Sequence, residues 1–136
     1  MRILAIDYGE KRTGLAISDP LGITAQPLKT ILTESLQKEL PKIIEEYEVE
    51  KILLGYPLKM DGTKGPAAEN MLKVHEELSK LLNMDIELID ERLSTAGVQK
   101  MLIAGDVSRA RRKQVVDKLA ATCLLQGYLD RIKRPS

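Results

Sequence analysis

Ile3-Leu4-Ala5-Ile6-Asp7-Tyr8-Gly9-Glu10-Lys11-Arg12-Thr13-Gly14-Leu15-Ala16-Ile17-Ser18 opens the chain as two apolar runs divided by a short polar, glycine-bearing segment. Each run has the length and composition of a buried strand, and the glycines suit a tight reversal. The stretch therefore predicts a hairpin of strands 2–7 and 14–18. Asp7 ends the first strand, so its carboxylate is presented at an edge of the sheet, placed to hold a metal or touch a phosphate. Which chemistry follows depends on the acids that converge on it. Pro20 and Gly22 mark the next turn, and residues 23–32 are expected to form a third meandering strand.

Further along, Leu36, Leu40, Ile43, Ile44 and Tyr47 recur at helical spacing, predicting a helix over 34–48 with Thr33 as its cap. Lys51-Ile52-Leu53-Leu54-Gly55 reads as a buried strand ended by Gly55-Tyr56-Pro57. The Asp61-Gly62 turn signal makes 59–65 an exposed loop, and Pro66 opens a helix reaching about Leu82. Strand 85–89, helix 94–104, a basic loop near 105–112 and a helix over 113–132 complete the pattern. This order predicts an α/β fold: a mixed five-stranded sheet, an antiparallel meander followed by parallel strands, flanked by helices. Strands joined through helices run parallel, so their carboxyl ends share one rim.

The 136 residues suit one domain spanning 1–136, and 43% apolar with 30% charged residues indicates a folded globular chain. A single cysteine, Cys123, excludes an intramolecular disulfide and any multi-cysteine metal site, and the lone His75 adds little to a metal case. Cys123 is most simply a buried helix residue and His75 a surface one. Met1-Arg2-Ile3 leads directly into the first strand and nowhere do about 18 apolar residues run uninterrupted, so a cytoplasmic protein without membrane contact is expected. The net charge of +1 conceals an asymmetry. Residues 92–136 carry 10 Lys/Arg against 3 Asp/Glu, whereas residues 1–91 carry 11 against 17. A basic carboxyl-terminal third suits polyanions, although a solvated helical surface has the same composition.

If strands 2–7 and 85–89 are parallel, Asp7 and the pair Asp90-Glu91 lie at one rim, where open α/β sheets place ligands. Val116, Leu119, Ala120, Cys123, Leu124 and Gly127 form the expected apolar stripe of the last helix, with Asp117 at its border. Three carboxylates without a histidine cluster favour a hard divalent ion, Mg²⁺ or Mn²⁺. Two such ions about 4 Å apart can activate water and stabilise a leaving oxygen in phosphodiester hydrolysis. Taken singly, each acid has a structural reading: Asp7 in a turn, Asp90 or Glu91 beside Arg92, Asp117 complementing the helix dipole. Strand alternation sends Asp90 and Glu91 to opposite faces and by itself leaves open which of them serves.

Asp7-x-Gly9-x-Lys11-Arg12-x-Gly14-x-Ala16, Gly55-x-Pro57 with Gly62, Asp90-Glu91-Arg92-Leu93-Ser94-Thr95, and Asp117-x-x-Ala120-Ala121 through Leu125-Gln126-x-Tyr128-Leu129 together resemble the YqgF (RuvX) family of bacterial RNase H-like nucleases. The match runs in order over nearly the whole chain. The resemblance implies an RNase H-like fold, a role in maturing the 5′ end of precursor 16S ribosomal RNA, and Asp7, Glu91 and Asp117 as metal-binding catalytic acids. It selects Glu91 over Asp90. Similar proteins have also been described as Holliday junction resolvases, which makes branched DNA the alternative substrate.

Lys11 and Arg12 beside Asp7, Arg92, and Arg109, Arg111 and Arg112 leading into the Asp117 helix are the expected phosphate contacts. The expected partners are therefore precursor rRNA or branched DNA and ribosomal particles, with the chain acting as a monomer or weak homodimer. With no Phe or Trp, base stacking falls to Tyr8, Tyr47, Tyr56 and Tyr128; Tyr8 and Tyr56 follow strand ends, and Tyr47 reads as core. Two rivals stand. An ATP-binding protein of the actin and sugar-kinase type shares the Asp-x-Gly turn but closes two such domains around nucleotide. A non-catalytic RNA-binding assembly factor would retain the fold without turnover.

Overall fold

The computed structural model describes residues 2–57, 65–90 and 109–133, with side chains left aside at 109–118 and 133. Five strands form one sheet: β1 (Arg2–Asp7), β2 (Arg12–Ser18), β3 (Ala25–Leu32), β4 (Val49–Tyr56) and β5 (Ile86–Asp90). Helices α1 (Leu36–Tyr47), α2 (Pro66–Leu82) and α3 (Arg109–Lys133) flank it. The strand order is β3-β2-β1-β4-β5. The first three strands pair antiparallel, while β1, β4 and β5 run parallel. This is the mixed α/β sheet that the strand and helix order predicts. Asp7, Tyr56 and Asp90 consequently end three parallel strands at a common rim.

Strand alternation divides the apolar side chains between two cores. On one face Leu4 and Ile6 of β1, Ile52 and Leu54 of β4 and Ile86 of β5 pack with Leu36, Leu40 and Ile43 of α1 and Met71, Val74 and Leu78 of α2. On the other face Ile3, Ala5, Ala16, Leu53 and Ile89 pack with Ala121, Leu124, Leu125 and Leu129 of α3. The central strands β1 and β4 are apolar on both sides because both sides are covered. Each fully buried Leu or Ile contributes about 1.5–3 kcal/mol.

The elements depart from the sequence pattern in instructive places. The helix expected over 34–48 starts as a 3-10 turn, Thr33–Ser35, and Thr33 does not cap it. Pro41 lies inside α1 on its solvent side, and Gln37, whose carbonyl loses its usual partner, is exposed. Residues 109–112, expected in a basic loop, form the first turn of α3. The buried stripe of α3 is Ala120, Ala121, Leu124, Leu125 and Leu129, with Cys123 half-buried and Gly127 exposed; it keeps Ala120 and Leu124 of the expected stripe and is rotated towards Ala121, Leu125 and Leu129, which pack on the sheet. His75 is half-buried, its Nε2 2.7 Å from the Ile86 carbonyl oxygen. Tyr47 lies at the border of the core, its ring 5.6 Å from the Arg2 guanidinium. The helix expected at 94–104, and most of the 59–65 loop, lie outside the described residues.

Candidate functional site

The rim is organised by the turn between β1 and β2. Asp7 pairs across the ladder with Gly14 and is half-buried, so its carboxylate is held at the sheet edge with access to solvent. The chain reverses through Gly9, where a Cβ would collide with the carbonyl oxygen of Arg12. Only glycine fits this close approach. Thr33 then ties the turn down: its Oγ1 donates to the Gly9 carbonyl at 2.7 Å and its N–H to the Lys11 carbonyl at 2.9 Å. The same hydroxyl lies 2.9 Å from Thr13 Oγ1, which is fully buried. The side chain expected to cap a helix thus anchors the loop beside Asp7. Sequence offers no local signal for this, since the contact spans 24 residues.

Lys11 and Arg12 are exposed on this turn, as phosphate contacts require. Asp90 ends β5, level with Tyr56 of β4. Its face differs from that of Asp7: residues 86, 88 and 90 alternate onto the α1/α2 side, whereas 3, 5 and 7 alternate onto the α3 side with Ile89. Glu91 and Arg92 lie outside the described residues. Asp117, Arg109, Arg111 and Arg112 belong to the backbone of α3, and their side chains lie outside the described residues. Among the described residues no three metal-ligating side chains come together, and Asp7 forms no ion pair.

The orientation of α3 is fixed at its far end. Gln126 Oε1 accepts from Ala25 N at 2.8 Å, while its Nε2 donates to the Ile23 carbonyl at 3.3 Å and to Asp130 Oδ1 at 3.0 Å. Ala25 pairs with Ser18, whose Oγ accepts from Ile3 N at 2.8 Å. Gln126 therefore lies level with the start of β1. Lys51, paired with Ile3, gives a second point: its Nζ is 5.3 Å from the Tyr128 ring centre and 3.6 Å from Glu87 Oε1. Hydrogen bonding to the Tyr128 hydroxyl, then the charges around it, hold this ammonium above its ordinary pKa. Beyond Leu129 the helix is exposed at Asp130, Arg131 and Ile132, whereas Ala120 and Ala121 are buried over the sheet. The helix thus runs from the Asp7 end of the sheet down to the strand starts.

A cleft of about 450 Å³ opens on the other side of the rim, lined by Tyr8, Glu10, Pro57, Ala67, Asn70 and Met71. No helix among the described residues is long and apolar enough to cross a membrane.

Comparison with known proteins agrees with this architecture. Residues 1–131 match the RuvX family, described as Holliday junction resolvase. The chain is 47% identical over 137 residues to a Clostridium botulinum (strain Alaska E43) protein named "Putative pre-16S rRNA nuclease", covering 98% of this chain and all of that one. It is 49% identical over 133 residues to a Desulforamulus reducens protein of the same name, covering 96% and 97%. Among solved structures, Thermus thermophilus RuvC in complex with a Holliday junction superposes with a TM-score of 0.56 at 13% identity, covering 97% of this chain and 96% of that one. The fowlpox virus Holliday junction resolvase gives 0.54 at 16% identity, covering 96% and 99%. The fold is that of the RNase H-like resolvases.

Proposed function

This chain belongs to the RuvX family of nucleases, hydrolases of phosphodiester bonds, and from that premise we propose that Asp7, Glu91 and Asp117 form a divalent-metal centre, Mg²⁺ or Mn²⁺, for cleaving the 5′ region of precursor 16S rRNA. One observation carries the proposal: the position of α3 relative to β1. From Gln126, level with Ile3, nine residues back along α3 to position 117 cover about 14 Å at the helical rise. From Ile3 to Asp7 the strand climbs about 13 Å. Asp7 itself belongs to the α3 face. Backbone positions 7 and 117 are thus level along the sheet on the side that α3 covers, which supports assigning both acids to one centre.

For the third acid the family motif selects Glu91, and the position of Asp90 on the face opposite Asp7 supports that choice. Carboxylate oxygens alone suit a hard ion. When bound, such an ion would polarise the phosphoryl oxygens and lower the pKa of water beside them. The chain supplies the rest. Lys11 and Arg12 on the turn, with Arg92, Arg109, Arg111 and Arg112, hold the phosphate backbone in register, and the Gly9–Thr33 tether keeps Asp7 from shifting. An rRNA-processing role carries with it a cytoplasmic setting and contact with ribosomal particles.

The test is cleavage of a structured precursor-rRNA leader, single-stranded DNA and four-way junction DNA, side by side, with Mg²⁺, with Mn²⁺ and after chelation. Metal-dependent cleavage of the leader, lost by about a hundredfold or more in Asp7→Asn, is expected from the several kcal/mol that a metal contributes to the transition state. Metal-independent cleavage, or an unaffected variant, would refute the centre. The family description favours one second reading, resolution of branched DNA, which requires two sites acting as a pair. Preferential cutting of the junction by a dimer would select it.

A further inference from the structure

We infer that the cleft on the α2 side of the rim receives one unpaired nucleobase of the strand being cut, stacked on Tyr8 and read along its edge by Glu10 and Asn70. The inference deepens the nuclease reading and rests on it. Asp7 and Tyr8 are consecutive, so alternation puts the proposed metal face and the cleft on the two sides of one strand end. A strand with a phosphate at Asp7 has only the rim to cross before an adjacent base meets the Tyr8 ring. That ring is half-exposed and backed by the α1/α2 core, which holds it still.

The lining decides the occupant. Tyr8, Pro57, Ala67 and Met71 give apolar walls, and the volume of about 450 Å³ falls within the range of small-ligand sites. A phosphate is disfavoured because Glu10, exposed at the mouth, would repel it. A nucleobase is neutral, has a π face for Tyr8 and carries N–H groups for a carboxylate and an amide to bind. Glu10 accepts only, so bases bearing an amino group suit it. Uracil offers a single N–H between two carbonyls and suits it least. Phosphate contacts at the turn position the strand, and the cleft adds a preference at one nucleotide.

The experiment measures binding without cleavage. Twelve-nucleotide single-stranded RNAs, each with one abasic position walked along the strand, are titrated by fluorescence anisotropy in the presence of a chelator. The full chain is expected to lose about 5- to 100-fold in affinity when one particular position is abasic. Tyr8→Leu, which keeps an apolar side chain against the core, should lose a similar factor with intact RNA and become indifferent to that position. With the base at that position varied, uracil should bind weakest, and Glu10→Gln should flatten the order. Uniform tolerance of abasic sites, an unchanged Tyr8→Leu affinity, or no RNA binding at all overturns the inference. Because no metal is present, failure here is separable from failure of the cleavage reading, which metal-dependent turnover decides.

Discussion

Asp7 and Asp90 end parallel strands at the same rim of the sheet yet stand on opposite faces of it, Asp7 with Ile3 and Ala5 against α3, Asp90 with Ile86 and Leu88 on the side of α1 and α2. Neighbours along an edge are therefore not automatically neighbours in a site. The proposed centre uses the α3 face, so Glu91→Gln should reduce cleavage by about a hundredfold or more, as Asp7→Asn does. Asp90→Asn should change it by less than about threefold, the range of substitutions away from reacting groups. Equal losses at 90 and 91 would count against the assignment. Single-turnover cleavage of one leader RNA by the three variants measures this.

Thr33 should matter at a distance of one turn from the acids. Thr33→Val keeps shape but strips the hydroxyl from the Gly9 carbonyl and from the buried Thr13 Oγ1. Leaving those groups without a partner should cost about 1–2 kcal/mol of stability. Chemical denaturation reads that loss, and cleavage should fall as the Asp7 turn loosens. Gly9→Ala should be worse, about 2–3 kcal/mol, because the added carbon meets backbone rather than a side chain that can move.

The pattern of hydrophobic runs and glycine signals was enough to read the meander, the parallel strands and the shared rim. Those features depend on local composition and on the chirality and covering rules of sheets. Pro66 at the start of α2 and Leu82 at its end were legible for the same reason. What escaped is long-range. Thr33 looked like a cap because a threonine before a helical stripe usually is one, and only the folded hairpin brings Gly9 within reach of it. The stripe of α3 is legible only in part: Ala120 and Leu124 belong to it as expected, but Ala121, Leu125 and Leu129 complete it on a side that only packing against the sheet defines. The role of Gln126 could not be read at all, since its partners Ile23 and Ala25 are more than a hundred residues away.

Glu48 ends α1 with φ 53°, ψ 50°, the left-handed conformation in which a Cβ is strained. Glycine removes that strain, so Glu48→Gly should stabilise the chain by up to about 1 kcal/mol, partly offset by the greater freedom of glycine in the unfolded state. A rise in Tm with unchanged cleavage is the expected result. Glu48→Ala, which keeps the Cβ, should give no comparable gain.

Gln126 tests the geometry on which the catalytic proposal stands. Its amide grips the backbone at the start of β3 from both sides, accepting from Ala25 and donating to Ile23, and so sets how far α3 slides along the sheet. Gln126→Ala should lower stability by about 1–2 kcal/mol for the lost bonds. If the helix thereby loses its register, position 117 no longer stands level with Asp7, and cleavage should fall further than the folded fraction does. Gln126→Glu separates charge from shape. It retains an acceptor for Ala25 but sets a carboxylate against the Ile23 carbonyl and Asp130 Oδ1, which accept hydrogen bonds from the present amide. Those neighbours raise the pKa of such a carboxyl above about 4.3 in the folded state, so the variant should be least stable at neutral pH and recover as pH falls through that raised value. Denaturation midpoints at pH 7 and pH 4.5, each relative to the parent chain, measure the recovery; a deficit that is the same at both would mean that the amide does not face these two acceptors.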